Sequence, residues 1–313
     1  MRNRVTELTG AEYPILLGPM RFISLGAVAA SVSGSGGFGQ IAGSGLNADR
    51  LRREIRLARE LTGAPFGVNI PVYRDNAFEA LEVAIEEGVR MITTSAGDPN
   101  KLIKRIREAG LKVFHKCSTV SMARKAQDAG VDGVIASGAE AGGHVSREQI
   151  TTFALIPQLV DVLEIPVVAA GGIGDGRGLL AAFALGAEGV EMGTRFLATT
   201  EAPVPEGYKR RIVSADCDGT TIIREKAMPA RILRNQAATA IEQMERRKTP
   251  GEQINAYTDT FYCHEDPDKA IMPAGQVAGL VRSIANISEV IGATIREAGL
   301  RLTVINNFFA EET

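Results

Sequence analysis

The chain has 313 residues, which suits one large domain or two small ones. Apolar residues make up 45% of the chain and charged residues 23%, as in a soluble globular protein rather than a disordered one. The formal net charge of -2 argues against a nucleic-acid groove or a membrane-surface patch, because both require a basic excess.

Targeting signals and metal motifs are not evident in the sequence. No apolar run approaches the roughly 18 residues that a membrane-spanning helix requires. The first eight residues carry several charges and lack the apolar core of a signal peptide. Cys117, Cys217 and Cys263 are widely spaced, which favours reduced thiols in a cytoplasmic protein over a disulfide framework. No His, Cys and carboxylate cluster has metal-ligand spacing, so we expect no metal site.

From residue 13 to about residue 200, short apolar runs alternate with amphipathic stretches. The apolar runs predict strands at 15–18, 38–42, 66–70, 91–94, 112–115, 133–136, 166–170 and 189–192. The stretches between them predict helices at 25–33, 48–61, 77–87, 100–109, 119–129, 149–162 and 176–185. Strands that are apolar at nearly every position are typical of a parallel sheet buried on both faces.

This alternation predicts an α/β fold, a (β/α)8 TIM barrel with a C-terminal helical cap. Eight successive right-handed βα units close on themselves, whereas a doubly wound open sheet is the competing arrangement. We expect residues 1–200 to form the barrel and residues 201–313 to form a cap segment. In that segment the pattern predicts helices at 227–247 and 274–298, joined by a polar loop at 249–268. The cap would also form one wall of a substrate pocket.

Two glycine-rich turns follow the predicted seventh and eighth strands. Gly171 and Gly172 leave the seventh strand, and Gly193 and Thr194 leave the eighth. The loops after these two strands frequently bind phosphate in barrels, because glycine permits close backbone approach and helix-terminal N–H groups contact phosphate oxygens. The pair therefore predicts a ligand that carries phosphate. A third cluster at 36–39 precedes a strand and lacks dinucleotide-binding spacing, so it indicates only a tight turn.

His144 follows Gly142 and Gly143 just beyond the sixth strand. A histidine at this end of a barrel strand points to the mouth, where it can give or take a proton near neutral pH. The alternative is a loop histidine that caps the next helix. His115 ends the fifth strand and can point into the barrel wall, so we expect a structural role for it, and we expect His264 to be solvated in a polar loop.

Two further polar residues lie at strand ends. Lys116 follows the fifth strand, where its positive charge would stabilise negative charge on a bound ligand. A solvated loop lysine is the alternative. Asn69 ends the third strand and could hydrogen-bond the rim of a ring, or simply form a turn. Cys117 has no acid that would orient a neighbouring histidine, so we interpret it as a packing residue.

Taken together, these motifs carry a resemblance to a known family. They are FGVN at 66–69, EAGGH at 140–144, AGGIGDG at 170–176, MGTRF at 192–196 and MPAGQVAGL at 272–280. The set resembles the nitronate monooxygenase family, formerly called 2-nitropropane dioxygenases. That family includes FMN-dependent enoyl-ACP reductase II and NADH:quinone reductase relatives. The resemblance covers nearly the whole chain.

The resemblance implies FMN as the cofactor and His144 as the active-site residue. The residues that it assigns to FMN are Gly18, Met20, Asn69, Lys116, Gly142, Gly143, Gly171, Gly172, Gly193, Thr194, Gly275 and Gln276. Among them, Gly171, Gly172, Gly193 and Thr194 would hold the phosphate, while Gly275 and Gln276 would close over the isoalloxazine. Pro19 departs from the usual Gly-Gly-Met turn and removes an N–H. Ser137 stands where some members carry an acid.

The resemblance leaves the activity open. A nitronate monooxygenase oxidises a nitronate or nitroalkane with dioxygen to a carbonyl and nitrite, and this is the first expectation. An NAD(P)H-dependent FMN reductase acting on an enoyl-ACP, an enoyl thioester or a quinone is the alternative. Acyl carrier protein would be a partner only under that alternative, and a homodimer is compatible with both. A flavin-free barrel that acts on a sugar phosphate as a lyase or isomerase is a third class.

Overall fold

A computed structural model describes residues 1–224 and 228–310 of the chain. The strands in these residues are β1 Ile15–Leu17, β2 Gly39–Ala42, β3 Phe66–Pro71, β4 Met91–Ser95, β5 Lys112–Cys117, β6 Gly133–Ser137, β7 Gly143–His144, β8 Val167–Ala170, β9 Gly189–Met192, β10 Thr220–Ile223 and β11 Ala230–Leu233. All but β7, β10 and β11 pair in parallel, in the order β1-β9-β8-β6-β5-β4-β3-β2.

A parallel bridge between Leu16 and Phe38 joins β1 to β2 and closes this sheet into a barrel. The predicted TIM barrel is therefore confirmed, and the open sheet is excluded. Each predicted strand is present with its ends shifted by a few residues. The helices are α1 Arg4–Thr9, α2 Gly26–Gly34, α3 Ala48–Leu61, α4 Ala77–Glu86, α5 Asn100–Glu108, α6 Val120–Ala129, α7 Thr152–Val160, α8 Gly176–Ala184, α9 Thr194–Leu197, α10 Glu206–Val213, α11 Gln236–Arg246, α12 Gly251–Thr260 and α13 Ile287–Ala310, with a 3-10 helix at Gln276–Leu280.

The barrel strands are apolar on both sides because they separate two cores. Side chains that point inward, including Leu16, Phe38 and Phe114, fill the lower part of the barrel. Outward-pointing side chains such as Val113 and Val134 pack against the surrounding helices. This double burial explains why the strands read as continuous apolar runs rather than as an alternating pattern.

Local sequence signals account for the surrounding helices, as α3 illustrates. The side chain of Asn47 accepts a hydrogen bond of 2.9 Å from the backbone N–H of Arg50 and so caps the first turn. Leu51, Ile55 and Ala58 recur at helical spacing and are buried against the barrel.

The segment after the barrel differs in part from the sequence prediction. A helix was expected at 227–247, but the described residues there form β11 and the shorter helix α11, while residue 227 lies outside the described residues. The polar loop expected at 249–268 contains α12. The helix expected at 274–298 is a 3-10 turn followed by an extended stretch and α13.

These differences have a tertiary cause. Strand β11 pairs in antiparallel fashion with β10 on one side and with β7 on the other, so a second sheet of three strands exists in the described residues. Its four residues, Ala-Arg-Ile-Leu, are compatible with helix or strand by local propensity. Pairing with β7, which is more than 80 residues away in the chain, makes this segment a strand. A local sequence pattern does not reveal so distant a partner.

The last helix packs on the outside of the barrel rather than over its mouth. Helix α13 lies against α8 and α2, the helices that follow the seventh and first barrel strands. Ile287, Val290 and Ile291 are buried in that contact. The division of the chain at residues 200 and 201 stays a prediction. No helix within residues 1–224 and 228–310 is long and apolar enough to cross a membrane.

Candidate active site

A cavity of about 550 Å³ opens at the carboxyl ends of the barrel strands. This volume lies within the range of small-molecule and cofactor sites, and this end of the barrel is where TIM-barrel enzymes place their chemistry. Its lining includes Gly18, Met20, Asn69, Lys116, Gly142, Gly143, His144, Gly171, Gly172, Gly193, Thr194 and Gly275. The structure thus brings the predicted site residues together, with the exception of Gln276.

The two glycine-rich turns lie side by side at one wall of this cavity. Gly172 has a φ of +75°, a conformation that side chains rarely adopt. A Cβ built on Gly193 would meet only the Met20 sulfur, at 3.7 Å, so this position faces open space in the cavity. Helix α9 begins at Thr194 without a side-chain cap, which leaves its first N–H groups available for an anion. Asp175, by contrast, already caps α8.

Two motifs far apart in the chain interlock beside these turns. A Cβ on Gly142 would lie 2.6 Å from the backbone nitrogen of Gly275, and a Cβ on Gly275 would lie 2.6 Å from the carbonyl oxygen of Glu140. The Gly275 N–H donates a 2.9 Å hydrogen bond to the hydroxyl of Thr194. Gly275 therefore ties the turn after β6 to the turn after β9. Gln276 is exposed and outside the cavity lining, and its contact with a flavin stays a prediction.

Glu140 fixes the base of the loop that carries the histidine. Its carboxylate accepts hydrogen bonds of 2.9 and 3.0 Å from the backbone N–H of Thr152, near the positive end of α7. The Thr152 hydroxyl lies 2.9 Å from the carbonyl oxygen of Gly171. The loop after β6 and the phosphate-type turn after β8 are thereby held by the same threonine.

His144 is exposed at the mouth of the cavity, on the two-residue strand β7. Its backbone lies opposite Ala230 of β11 in the small sheet. The neighbouring Arg231 is buried and donates hydrogen bonds of 2.9 and 3.1 Å to the carbonyl oxygen of Ala139. The histidine is thus positioned by the segment after the barrel and not only by its own loop.

A chain of polar side chains crosses the floor of the cavity. The Lys116 ammonium donates to the buried carboxylate of Glu191, and the Gln40 amide lies 3.4 Å from the other oxygen of that carboxylate. The Thr93 hydroxyl donates to the amide oxygen of Gln40 at 2.5 Å. The amide nitrogen of Asn69 donates to the Thr93 hydroxyl at 3.0 Å. Asn69 and Lys116 therefore lie at opposite ends of one connected network.

Sequence reasoning did not identify Glu191 or Gln40. A signal was present, because a carboxylate and an amide inside apolar strands must find hydrogen-bond partners when they are buried. The sequence pattern of a strand does not identify the hydrogen-bond partner, because it does not predict which side chains from different strands meet inside the barrel.

The sequence model of the nitronate monooxygenase family matches residues 2–297. The chain belongs to this family. Members of this family are oxidoreductases, which makes this protein an oxidoreductase with a small-molecule substrate.

Two relatives of this chain have names that indicate different activities. The chain is 37% identical over 252 residues to the Mycobacterium tuberculosis (3aS,4S,5R,7aS)-5-hydroxy-7a-methyl-1-oxo-octahydro-1H-indene-4-carboxyl-CoA dehydrogenase, covering 79% of this chain and 70% of that protein. It is 33% identical over 287 residues to a probable nitronate monooxygenase of Staphylococcus aureus, covering 78% and 80% respectively.

Two solved structures share the whole fold of the chain. FabK from Thermotoga maritima is 38% identical with a TM-score of 0.93, over 98% of this chain and 99% of that chain. A nitroalkane oxidase from Streptomyces ansochromogenes is 28% identical with a TM-score of 0.85, over 97% and 100% respectively.

The residues of this nitronate monooxygenase family member fit FMN. Gly193 provides room and α9 provides N–H groups for a phosphate. The Asn69 amide uses its nitrogen to bond Thr93, and no donor in residues 1–224 and 228–310 bonds its oxygen. The floor therefore offers an acceptor at Asn69 and N–H donors at Lys116, the combination that the pyrimidine edge of a flavin requires.

The turn after β1, at residues 18–20, uses its backbone N–H groups within the protein. The Gly18 N–H donates to the carbonyl oxygen of Met192 at 2.7 Å, and the Met20 N–H donates to the Ser24 hydroxyl at 3.0 Å. Pro19 has no N–H to offer. Any contact of this turn with a flavin must use other atoms.

The other cysteine and histidine candidates are not assigned a catalytic role. Burial raises the pKa of the Cys117 thiol to about 12, so the thiolate is disfavoured at neutral pH. His115 is buried on the outer side of the barrel wall, where its Nδ1 lies 2.7 Å from the Thr94 hydroxyl. His264 is exposed. No group of three or more His, Cys, Asp or Glu residues that could hold a metal occurs in residues 1–224 and 228–310.

Proposed function

We propose that the protein is an FMN-dependent oxidoreductase that oxidises nitronates with dioxygen to a carbonyl compound and nitrite. The observation that carries the proposal is the placement of His144. It is exposed at the mouth of a cavity whose far wall holds the Gly172 and Gly193 turns and whose floor holds Lys116.

Each part of the cavity has a separate task in this proposal. The backbone N–H groups at Gly193 and Thr194 hold the phosphate, while Asn69 and Lys116 hold the ring. Bound FMN supplies the two-electron chemistry and the reaction with dioxygen. His144 binds the anionic nitronate, or removes the α-proton of a neutral nitroalkane when that is the substrate.

Anaerobic mixing tests the proposal directly. The FMN-loaded protein is mixed in turn with a nitronate, NADH and NADPH, and flavin absorbance is followed. The nitronate should bleach the flavin, and admission of dioxygen should restore the colour with release of nitrite. A protein that is bleached only by NADH or NADPH would not be a nitronate monooxygenase.

A second activity is favoured by the rim of the cavity. Arg21, Arg74 and Arg147 all contribute to the lining near the mouth. Arg21 is paired with Asp259, and the arginines of this lining suit a larger anionic substrate such as an enoyl thioester of a phosphate-bearing carrier. The identity to a protein named as a carboxyl-CoA dehydrogenase points the same way.

Under this second candidate, FMN held by the same residues would carry two electrons from NAD(P)H to an enoyl thioester or a quinone. His144 then binds or protonates the acceptor. Acyl carrier protein would be a partner only in this case, and a homodimer stays a prediction in both. The same mixing experiment separates the candidates, because an enoyl thioester should reoxidise the NAD(P)H-reduced flavin without dioxygen.

A further inference from the structure

Glu191 is a carboxylate at the floor of the cavity, and its side chain is only 3% exposed. It lies in β9 between the buried apolar residues Val190 and Met192. Burial of an acid in such a strand is unfavourable unless partners satisfy its charge and its oxygens. The sequence resemblance assigns no role to this position.

Both oxygens of Glu191 have partners that are themselves anchored. Lys116, whose side chain is 27% exposed and reaches the cavity, donates to one oxygen. The amide of Gln40 lies 3.4 Å from the other, and it is itself held by a 2.8 Å hydrogen bond to the carbonyl oxygen of Leu17. The amide of Gln40 therefore fixes the carboxylate of Glu191, and that carboxylate fixes the ammonium of Lys116.

We propose that Glu191 is a positioning residue that fixes the Lys116 ammonium at the cavity floor and partly neutralises it. Through Lys116 it sets the preference of the site for reduced over oxidised FMN. This inference rests on the proposed FMN site and adds a determinant of its redox balance.

The sign of the effect follows from the charges. A reduced flavin carries more negative charge at N1–C2=O than an oxidised one, so a positive charge nearby favours it and a negative charge opposes it. Glu191 lies close enough to Lys116 to cancel much of that positive charge. Removing the carboxylate should therefore strengthen the preference for reduced FMN, and removing the ammonium should weaken it.

The test measures the dissociation constants of oxidised and of anaerobically reduced FMN for each variant. Glu191→Gln should raise the ratio of the oxidised constant to the reduced constant by about tenfold or more. Lys116→Met should lower the ratio by a similar factor. The double variant should return it toward the wild-type value. Glu188→Gln, which removes a carboxylate at the amino end of the same strand, is the matched control and should leave the ratio unchanged.

Thermal unfolding of the FMN-free proteins gives an independent readout. Lys116→Met leaves Glu191 buried without its ionic partner and should lower the unfolding midpoint, while the double variant should recover it. If Glu191→Gln does not fold, the double variant compared with Lys116→Met gives the same test, since loss of the carboxylate should again raise the ratio.

The outcomes separate this inference from the proposed function. A ratio that falls or does not change in Glu191→Gln overturns the role of Glu191 while leaving FMN binding intact. Equal shifts of both single variants in the same direction also overturn it, because a merely structural role would act that way. A wild-type protein that binds no FMN ends the proposed function and this inference together.

Discussion

His144 is the residue on which the proposed chemistry depends most. It lies on a two-residue strand that pairs with β11, and it is exposed to the cavity. Positioned acid–base groups contribute roughly 10²–10⁴-fold to rate. We expect His144→Ala to lose activity on that scale while FMN affinity and the unfolding midpoint stay close to wild type.

Stopped-flow flavin reduction identifies the step that fails in His144→Ala. With a neutral nitroalkane, reduction should slow, whereas a preformed nitronate should be partly spared because its proton is already gone. Turnover within a factor of about two of wild type on every substrate would remove His144 from the catalytic role. Loss of folding would favour a capping role instead.

His115 makes the stability of the fold depend on pH. Burial lowers its pKa to about 4, although Asp98 opposes the shift. Because the unfolded chain takes up a proton near pH 6.5 and the folded protein does so only near pH 4, the unfolding free energy should fall as pH drops between these values. The loss should be on the order of 3 kcal/mol.

Chemical denaturation at a series of pH values between 7 and 4 measures this loss. His115→Asn retains a hydrogen-bonding group near Thr94 but cannot titrate, so its stability should decline less steeply. Equal slopes for wild type and His115→Asn would show that His115 is not the titrating group.

At the scale of elements, the turn after β9 gives the sharper test of the phosphate site. A side chain at Gly172 would be strained by its positive φ whether or not phosphate binds there. Gly193 has a φ of -112°, and its Cβ would enter open cavity. Gly193→Leu should therefore fold normally and purify without colour.

Calorimetric titration with FMN should show at least a tenfold loss of affinity in Gly193→Leu, the scale expected when a side chain displaces a charge-assisted phosphate contact. Gly63→Leu is a matched control, because a Cβ there meets nothing within 4 Å. Unchanged FMN affinity in Gly193→Leu would place the phosphate elsewhere.

The contact between α8 and α13 is close enough for a single methyl group to disturb it. A Cβ on Gly176 would lie 2.4 Å from the backbone nitrogen of Ala298 and 2.5 Å from the carbonyl oxygen of Thr294. Gly176→Ala should push α13 away from the barrel and cost about 1–3 kcal/mol of unfolding free energy.

Gly299 lies within α13, and Gly299→Ala is a control for which the unfolding free energy should change in the opposite direction. A Cβ there meets nothing within 4 Å, and alanine favours the helix by about 0.5–1 kcal/mol over glycine. Denaturant titration should therefore show a loss for Gly176→Ala and a gain for Gly299→Ala. A neutral Gly176→Ala would show that α13 shifts without loss of packing.

At the scale of the whole molecule, the barrel could be predicted and the segment after it could not. Barrel strands are short, apolar runs separated by helices with their own caps, such as Asn47 before α3. Their neighbours in space are also their neighbours in sequence, so local order predicts the topology. Strand β11 has neighbours on both sides that come from distant parts of the chain, and it was missed for that reason.

The candidate site was likewise predicted from the sequence only in part. Glycine turns at strand ends and a histidine after β6 were visible, because a barrel places the end of every strand at one mouth. Glu191 and Gln40 were not, because the side chains that face one another inside a barrel come from different strands.

The sequence by itself determined the barrel, the location of its mouth and the glycine turns and histidine that lie there, since periodicity and turn chemistry are properties of neighbouring residues. Only the tertiary structure decided that α13 covers the barrel wall, that β7 and β11 position His144, and that Glu191 holds Lys116. The physical reason is that burial and pairing are settled between residues far apart in the chain, where each polar group takes the partner that packing brings to it.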